Sequence, residues 1–199
     1  MLKDIFSVPV YKTDCFINEE LKQSIINQFY KIESEMPIEP NSYPVGSYTS
    51  FNKIVHIFDE VSELAPIKNS ALAAATDIHN QLELGGTLKF TSSWFAINRK
   101  NSYHEEHHHA PNVWSGVYYL QAEPGDANFI FVNKNLTDSS WPYSAPKIGN
   151  NNFISNEMVA SPYSGMLILF PSYLHHKVSQ QLQDRERIMI AFNLDVKNV

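Results

Sequence analysis

The run His107-His108-His109-Ala110-Pro111-Asn112-Val113-Trp114-Ser115-Gly116-Val117-Tyr118-Tyr119-Leu120 passes from histidines, through a Pro-Asn turn, into a β-branched and aromatic segment. That composition favours a strand. It is one of five short strand-like runs after Gly86; the others are 88–98, 127–132, 165–170 and 188–195. Turn residues such as Glu123-Pro124-Gly125-Asp126 separate them. Many short strands behind two helical segments predict a sandwich or closed double sheet with helices packed outside.

The first half of the chain reads as support. Residues 5–12 alternate weakly, and Pro9 places that strand at an edge. Asn18 caps a helix whose Glu19 and Glu20 suit its positive end, and Leu21, Ile25, Phe29 and Ile32 form its apolar face up to about Pro37. From Pro37 to Phe51, three prolines and Gly46 indicate a loop. A second helix is expected over 66–84. It has Pro66 in its first turn, Ile67, Ala71, Ala74, Ile78 and Leu82 on its face, and Gly85-Gly86 as its stop. His56 and His79 read as surface or packing residues. The expected organisation is one domain over 1–199, with helical support at about 18–85 and a barrel core at about 86–195. The Asn-rich segment 133–152, with Trp141 and Tyr143, reads as a lid over a substrate.

Bulk composition narrows the classes of function. Hydrophobic residues make up 43% and charged residues 18%, with ten tyrosines and twelve phenylalanines, so the chain is foldable and strand-prone. Net charge is −6 with only three arginines, Arg99, Arg185 and Arg187, which argues against a nucleic-acid partner. No run is apolar enough for a membrane span, and Met1-Leu2-Lys3-Asp4-Ile5 lacks a secretory signal. The single cysteine, Cys15, precludes an intrachain disulfide and leans towards a cytoplasmic location. Exposed sheet or helix leaves room for a homodimer.

Chemistry concentrates in three places. On a strand, alternate side chains share a face, so His107 and His109 can converge on one ion; His104 and Glu106 offer a competing pair at the same spacing. His175 and His176 are neighbours, so only one faces inward. Arg187, eleven residues beyond His176, opens the last strand and would need an anion if it faces an apolar interior. Together these residues point to a mononuclear metal site beside an anchored anionic co-substrate.

Three blocks then appear in order: His107 to Leu120; Phe170-Pro171-Ser172-Tyr173-Leu174-His175-His176-Lys177-Val178; and Glu186-Arg187-Ile188-Met189-Ile190-Ala191-Phe192-Asn193-Leu194. In these the chain resembles the Fe(II)- and 2-oxoglutarate-dependent dioxygenases, in the branch related to prolyl 4-hydroxylases. The resemblance implies a mainly β double-stranded β-helix (a jelly roll, cupin-like) with N-terminal helices outside. It implies His107, His109 and His176 as Fe(II) ligands and Arg187 on the far carboxylate of 2-oxoglutarate. Asn98 would donate to the same co-substrate, and Trp94 stands where the branch has a tryptophan. The implied activity is hydroxylation of a small-molecule or peptide substrate, with release of succinate and CO2. His109 stands where the wider superfamily has a carboxylate. Met189 replaces a serine that often gives the co-substrate a second hydrogen bond, a loss that a tyrosine or Ser172 would offset. A three-histidine cupin-like metal enzyme that ignores 2-oxoglutarate shares these ligands. A non-catalytic jelly roll binding ligands on Trp114, Trp141 and the tyrosines shares the fold.

Overall fold

The computed structural model describes residues 7–39, 46–134 and 155–197. The lid expectation for 133–152 therefore lies outside the described residues, apart from Asn133 and Lys134.

Two antiparallel sheets form a double-stranded β-helix. The larger has the order β1-β8-β5-β10-β3-β2 and the smaller β4-β9-β6-β7. The large sheet contains β1 (Tyr11–Asp14), β2 (Ser47–Thr49), β3 (Thr87–Asn98), β5 (Trp114–Gln121), β8 (Met166–Pro171) and β10 (Arg187–Lys197). The small sheet contains β4 (His104–His107), β6 (Phe129–Val132), β7 (Glu157–Ala160) and β9 (His176–Val178). Between the sheets lies one apolar cluster, with Val117, Tyr119, Phe129, Phe131, Met166, Ile168 and Phe170 buried and Met189 and Val178 packed at its margin. The alternate residues of the large sheet, including Phe95, Ile97, Leu169 and Phe192, face a second cluster shared with the helices. The central strands are therefore buried on both faces, which is why residues 117–120 of β5 and 166–170 of β8 read as unbroken hydrophobic runs.

Helix α1 (Glu19–Glu35) starts where Asn18 accepts the Leu21 N–H at 2.8 Å, and it buries Ile25, Ile26 and Phe29. Phe29 stacks on Phe95 of β3 with ring centroids 3.9 Å apart. Arg99, just past β3, clamps the helix by a two-toothed ion pair to Glu33 at 2.7 and 2.8 Å while also reaching Glu186. A short helix α2 (Ile57–Glu60) and a 3₁₀ turn (Ser62–Leu64) lead into α3 (Ala65–Gln81).

Three expectations need correction. Residues 37–51 are not all loop: Ser47–Thr49 pair with Ala96–Asn98 as an edge strand, and Tyr48 is buried. That strand falls inside the segment assigned to helical support, yet it belongs to the barrel's sheet. Helix α3 ends one turn short of 84. The chain reverses through Glu83 (φ 54°) and Gly86 (φ 97°), leaving Leu82 42% exposed and not on the buried face. The first strand lies later than 5–12: residues 7–10 precede it, and β1 runs from Tyr11 to Asp14, beyond Pro9; β4, β7 and β9, of three or four residues each, are too short to show a period-two pattern. No helix among the described residues is long and apolar enough to cross a membrane.

Candidate metal and co-substrate site

His107 and His176 face each other directly across the β4–β9 pair, and Phe131 of β6 flanks His176 on its other side. Directly opposed residues bring their Cβ atoms within about 5 Å, so both rings reach the same space. His109 arrives by a different route from the one its spacing suggests. Strand β4 stops at His107, and His109 is held beyond the strand's end, its N–H donating to the Ser172 carbonyl at 2.8 Å. The ligand atoms of His107, His109 and His176 lie within 4.8 Å of one another, which makes this the group of three among the described residues able to hold a metal ion.

Each of the three rings has its Nδ1 against an oxygen that can only accept a hydrogen bond. For His107 it is the Glu105 carbonyl at 2.8 Å, for His109 the Asn193 side-chain oxygen at 2.8 Å, and for His176 the Leu174 carbonyl at 2.9 Å. With Nδ1 donating, Nε2 keeps its lone pair, the tautomer a metal needs. Burial, and repulsion from the neighbouring histidines, push the His107 pKa down to about 4 and lower that of His176 further still; burial also lowers that of His109. The rings are thus neutral and ready to ligate at ordinary pH. Aromatic side chains wall the site: Phe129 stacks on His176, Phe170 meets it edge-on, and Trp94 stacks on His109 at 5.6 Å.

The competing pair falls away. Glu106 is engaged at the surface by Lys134 (2.5 Å) and His175 (2.8 Å), and His104 is outside the converging set although its ring lies 4.1 Å from that of His107. His108 turns outward towards His175, with ring centroids 4.9 Å apart. His79 is a packing residue: its ring bridges Trp114 Nε1 and the Gly85 carbonyl. His56 is exposed at the start of α2.

Along the inner face of β10, Arg187, Met189, Ala191 and Asn193 alternate with the outward Ile188, Ile190 and Phe192. Arg187 is 1% exposed, lies over the Tyr119 ring with 5.3 Å between guanidinium carbon and centroid, and has no hydrogen-bond partner for Nε, Nη1 or Nη2 among the described residues. Burial lowers its pKa. Asp126, the acid that opposes this shift, has its oxygens occupied by the Glu123 N–H, Gln181 and Arg185. An internal salt bridge is therefore not what Arg187 serves. The Tyr119 hydroxyl is likewise buried and unpartnered, and burial raises its pKa to about 12, so it remains a donor.

Asn98 sits directly opposite Arg187 on β3, but its amide donates to Ser47 Oγ at 2.7 Å, leaving its own oxygen unpartnered. Ser172 is at the metal end, bonded to Ser115 Oγ at 2.7 Å, so it does not stand in for the serine that Met189 replaces. Tyr119 is the tyrosine on the inner face, whereas Tyr118 packs towards the helices and bonds the Cys15 carbonyl. Sequence reading missed a role for Asn193. Its even spacing from Arg187 on one strand was a usable signal, since both must share a face.

The family described as "Putative 2OG-Fe(II) oxygenase" matches residues 92–193. No curated protein matches the chain. Among solved structures, HygX from Streptomyces hygroscopicus, with nickel and 2-oxoglutarate bound, has a TM-score of 0.66 at 13% identity, covering 96% of this chain and 83% of its own. A Pseudomonas putida prolyl-4-hydroxylase has a TM-score of 0.64 at 15% identity, covering 96% and 95%. The epimerase SnoN from nogalamycin biosynthesis has a TM-score of 0.68 at 8% identity, covering 95% and 77%. At such identities the likeness is one of fold. The family match spans more than half the chain and contains the three histidines and Arg187, and on it the chain belongs to the 2OG-Fe(II) oxygenases.

Proposed function

We propose that the chain holds Fe(II) through Nε2 of His107, His109 and His176. In this reading it anchors 2-oxoglutarate with Arg187 and hydroxylates a C–H bond of a small-molecule or peptide substrate. The observation that carries this is Arg187, a buried guanidinium without an acceptor, on the same inner strand face as the residue that holds His109. A buried, unpaired cation is costly, and a dicarboxylate reaching in from the metal would offset that cost. The imidazole set fits Fe(II), and equally zinc, copper or nickel, because it lacks the carboxylate of the usual facial triad.

Bound together, Fe(II) and 2-oxoglutarate supply oxidative decarboxylation: O2 and the keto acid yield succinate and CO2 while the substrate C–H becomes C–OH. The protein's own contributions are positional. The Arg187 fork matches a carboxylate in two hydrogen bonds. Tyr119 supplies the further donor that Met189 cannot, and Val117, Ile168, Phe170 and Met189 keep water from the pair. The lone half-buried thiol of Cys15 and the redox needs of Fe(II) suit the cytoplasm.

Anaerobic titration of the Fe(II)-loaded protein with 2-oxoglutarate is expected to give a saturable visible charge-transfer band, and Arg187→Ala is expected to weaken that binding by at least about 100-fold. Iron binding without any band would overturn the co-substrate reading in favour of a three-histidine metal enzyme that does not use 2-oxoglutarate.

A further inference from the structure

His109 is the ligand that departs from the superfamily pattern, and it carries a requirement that a carboxylate does not. A carboxylate offers two equivalent oxygens, whereas imidazole must present the correct nitrogen, free of its proton. What sets that nitrogen for His109 differs from what sets it for the other two rings. His107 and His176 donate to main-chain carbonyls two residues away in the chain. His109 donates to a side chain on another strand, Asn193 on the inner face of β10.

Asn193 is 5% exposed and sits in a polar network enclosed by the barrel. Its Oδ1 receives His109 Nδ1 at 2.8 Å and Ser115 Oγ at 2.7 Å; its Nδ2 donates to Ser92 Oγ at 2.9 Å. Ser172 Oγ lies 2.7 Å from Ser115 Oγ and completes the chain as the donor to it. The chain therefore has one direction: Ser172 to Ser115 to the Asn193 oxygen, with the Asn193 amide N–H leaving towards Ser92. In that direction the oxygen faces His109, and the ring is held with the proton on Nδ1 and the lone pair on Nε2. The network lies at the metal end of the barrel, away from Arg187, so neither co-substrate anchoring nor core packing accounts for it.

We propose that Asn193 is a positioning residue: it selects the metal-binding tautomer of His109 and fixes the ring plane, with Ser92 and Ser115 fixing the amide. The proposal rests on His109 being a metal ligand, but the tautomer it assigns exists without metal. An amide acceptor also leaves the imidazole neutral and less basic than a carboxylate partner would. It follows that Asn193→Asp, which keeps the acceptor and has no donor, retains or strengthens ligation, whereas Asn193→Leu, of similar size and without an acceptor, loses it.

Two measurements on the full chain test this. Nitrogen-15 NMR of histidine-labelled, metal-free protein near pH 7.5 should show His109 protonated at Nδ1 in the wild type and in Asn193→Asp. Isothermal titration with Co(II) should show affinity falling about 10- to 100-fold in Asn193→Leu and preserved in Asn193→Asp. An Nε2-protonated His109 in the wild type would overturn the proposal. So would equal Co(II) affinity in wild type and Asn193→Leu, or an Asn193→Asp protein that folds normally but binds Co(II) as weakly as Asn193→Leu. Should Asn193→Leu fail to fold, the wild-type tautomer and the Asn193→Asp titration decide. Failure of wild-type protein to bind Co(II) would remove the metal reading while the NMR result still judges Asn193.

Discussion

Three imidazoles whose ligand atoms lie within 4.8 Å of one another cannot all carry a positive charge inside a protein. At that separation each like-charged pair costs roughly 3 kcal/mol even at an effective dielectric constant near 20. Burial, joined by repulsion from His104 and His109, holds the His107 pKa down to about 4 where the unfolded chain titrates near 6.5. Because the unfolded state takes up more protons, the stability that neutral His107 contributes to the metal-free protein is fully present above about pH 6.5 and is lost as pH falls towards 4. Urea midpoints measured across that window should decline by an amount worth about 1–3 kcal/mol, and His107→Gln should flatten the slope. A wild-type midpoint independent of pH in that range would contradict a buried His107 that resists protonation.

Strand β5 shows why a glycine follows Ser115. A Cβ at Gly116 would sit 2.3 Å from Phe192 Cζ and 2.8 Å from Leu169 Cδ2, on the face that meets the helices. That contact lets β5, β8 and β10 close up, while the alternate residues Ser115, Val117 and Tyr119 line the inner face. Gly116→Ala should therefore destabilise the fold by about 1–3 kcal/mol through overpacking. Its Co(II) affinity should match wild type, since the inner face is untouched. Comparing denaturant midpoints with metal titrations separates the two effects; a large loss of affinity in protein shown to be folded would mean that the faces are coupled.

The helices and the barrel share one apolar cluster, and Arg99 ties α1 to Glu186, the residue before Arg187. We propose that residues 1–199 act as one cooperative unit, with no separable helical module. Phe29→Ala removes the ring stacked on Phe95 and should cost about 3–5 kcal/mol. In wild type and variant alike, loss of helical circular dichroism and loss of the Co(II) absorption should share one urea midpoint. Separate midpoints would show that the helices and the metal-holding barrel unfold independently.

Local chemistry was legible where one residue type forces one structure. Asn18 could be read as a cap and the aromatic runs as strands, because each depends on neighbours within a few positions, whereas the strand expected over 5–12 begins only at Tyr11, beyond Pro9. The order of the three blocks also pointed to the jelly roll and to His107, His109, His176 and Arg187 as a set. The convergence itself was decided by tertiary structure. His107 meets His176 through strand pairing, and His109 joins them from beyond the end of β4, not by the strand alternation that its spacing suggests. Likewise β2 is a strand only because β3 offers an edge, and Asn98 donates to Ser47 only because that edge strand lies beside it. The bond between Asn193 and His109 spans 84 positions. Hydrophobic periodicity records which face of a strand is buried; it carries no information about which distant side chain is waiting on that face, and that is set by sheet order and register.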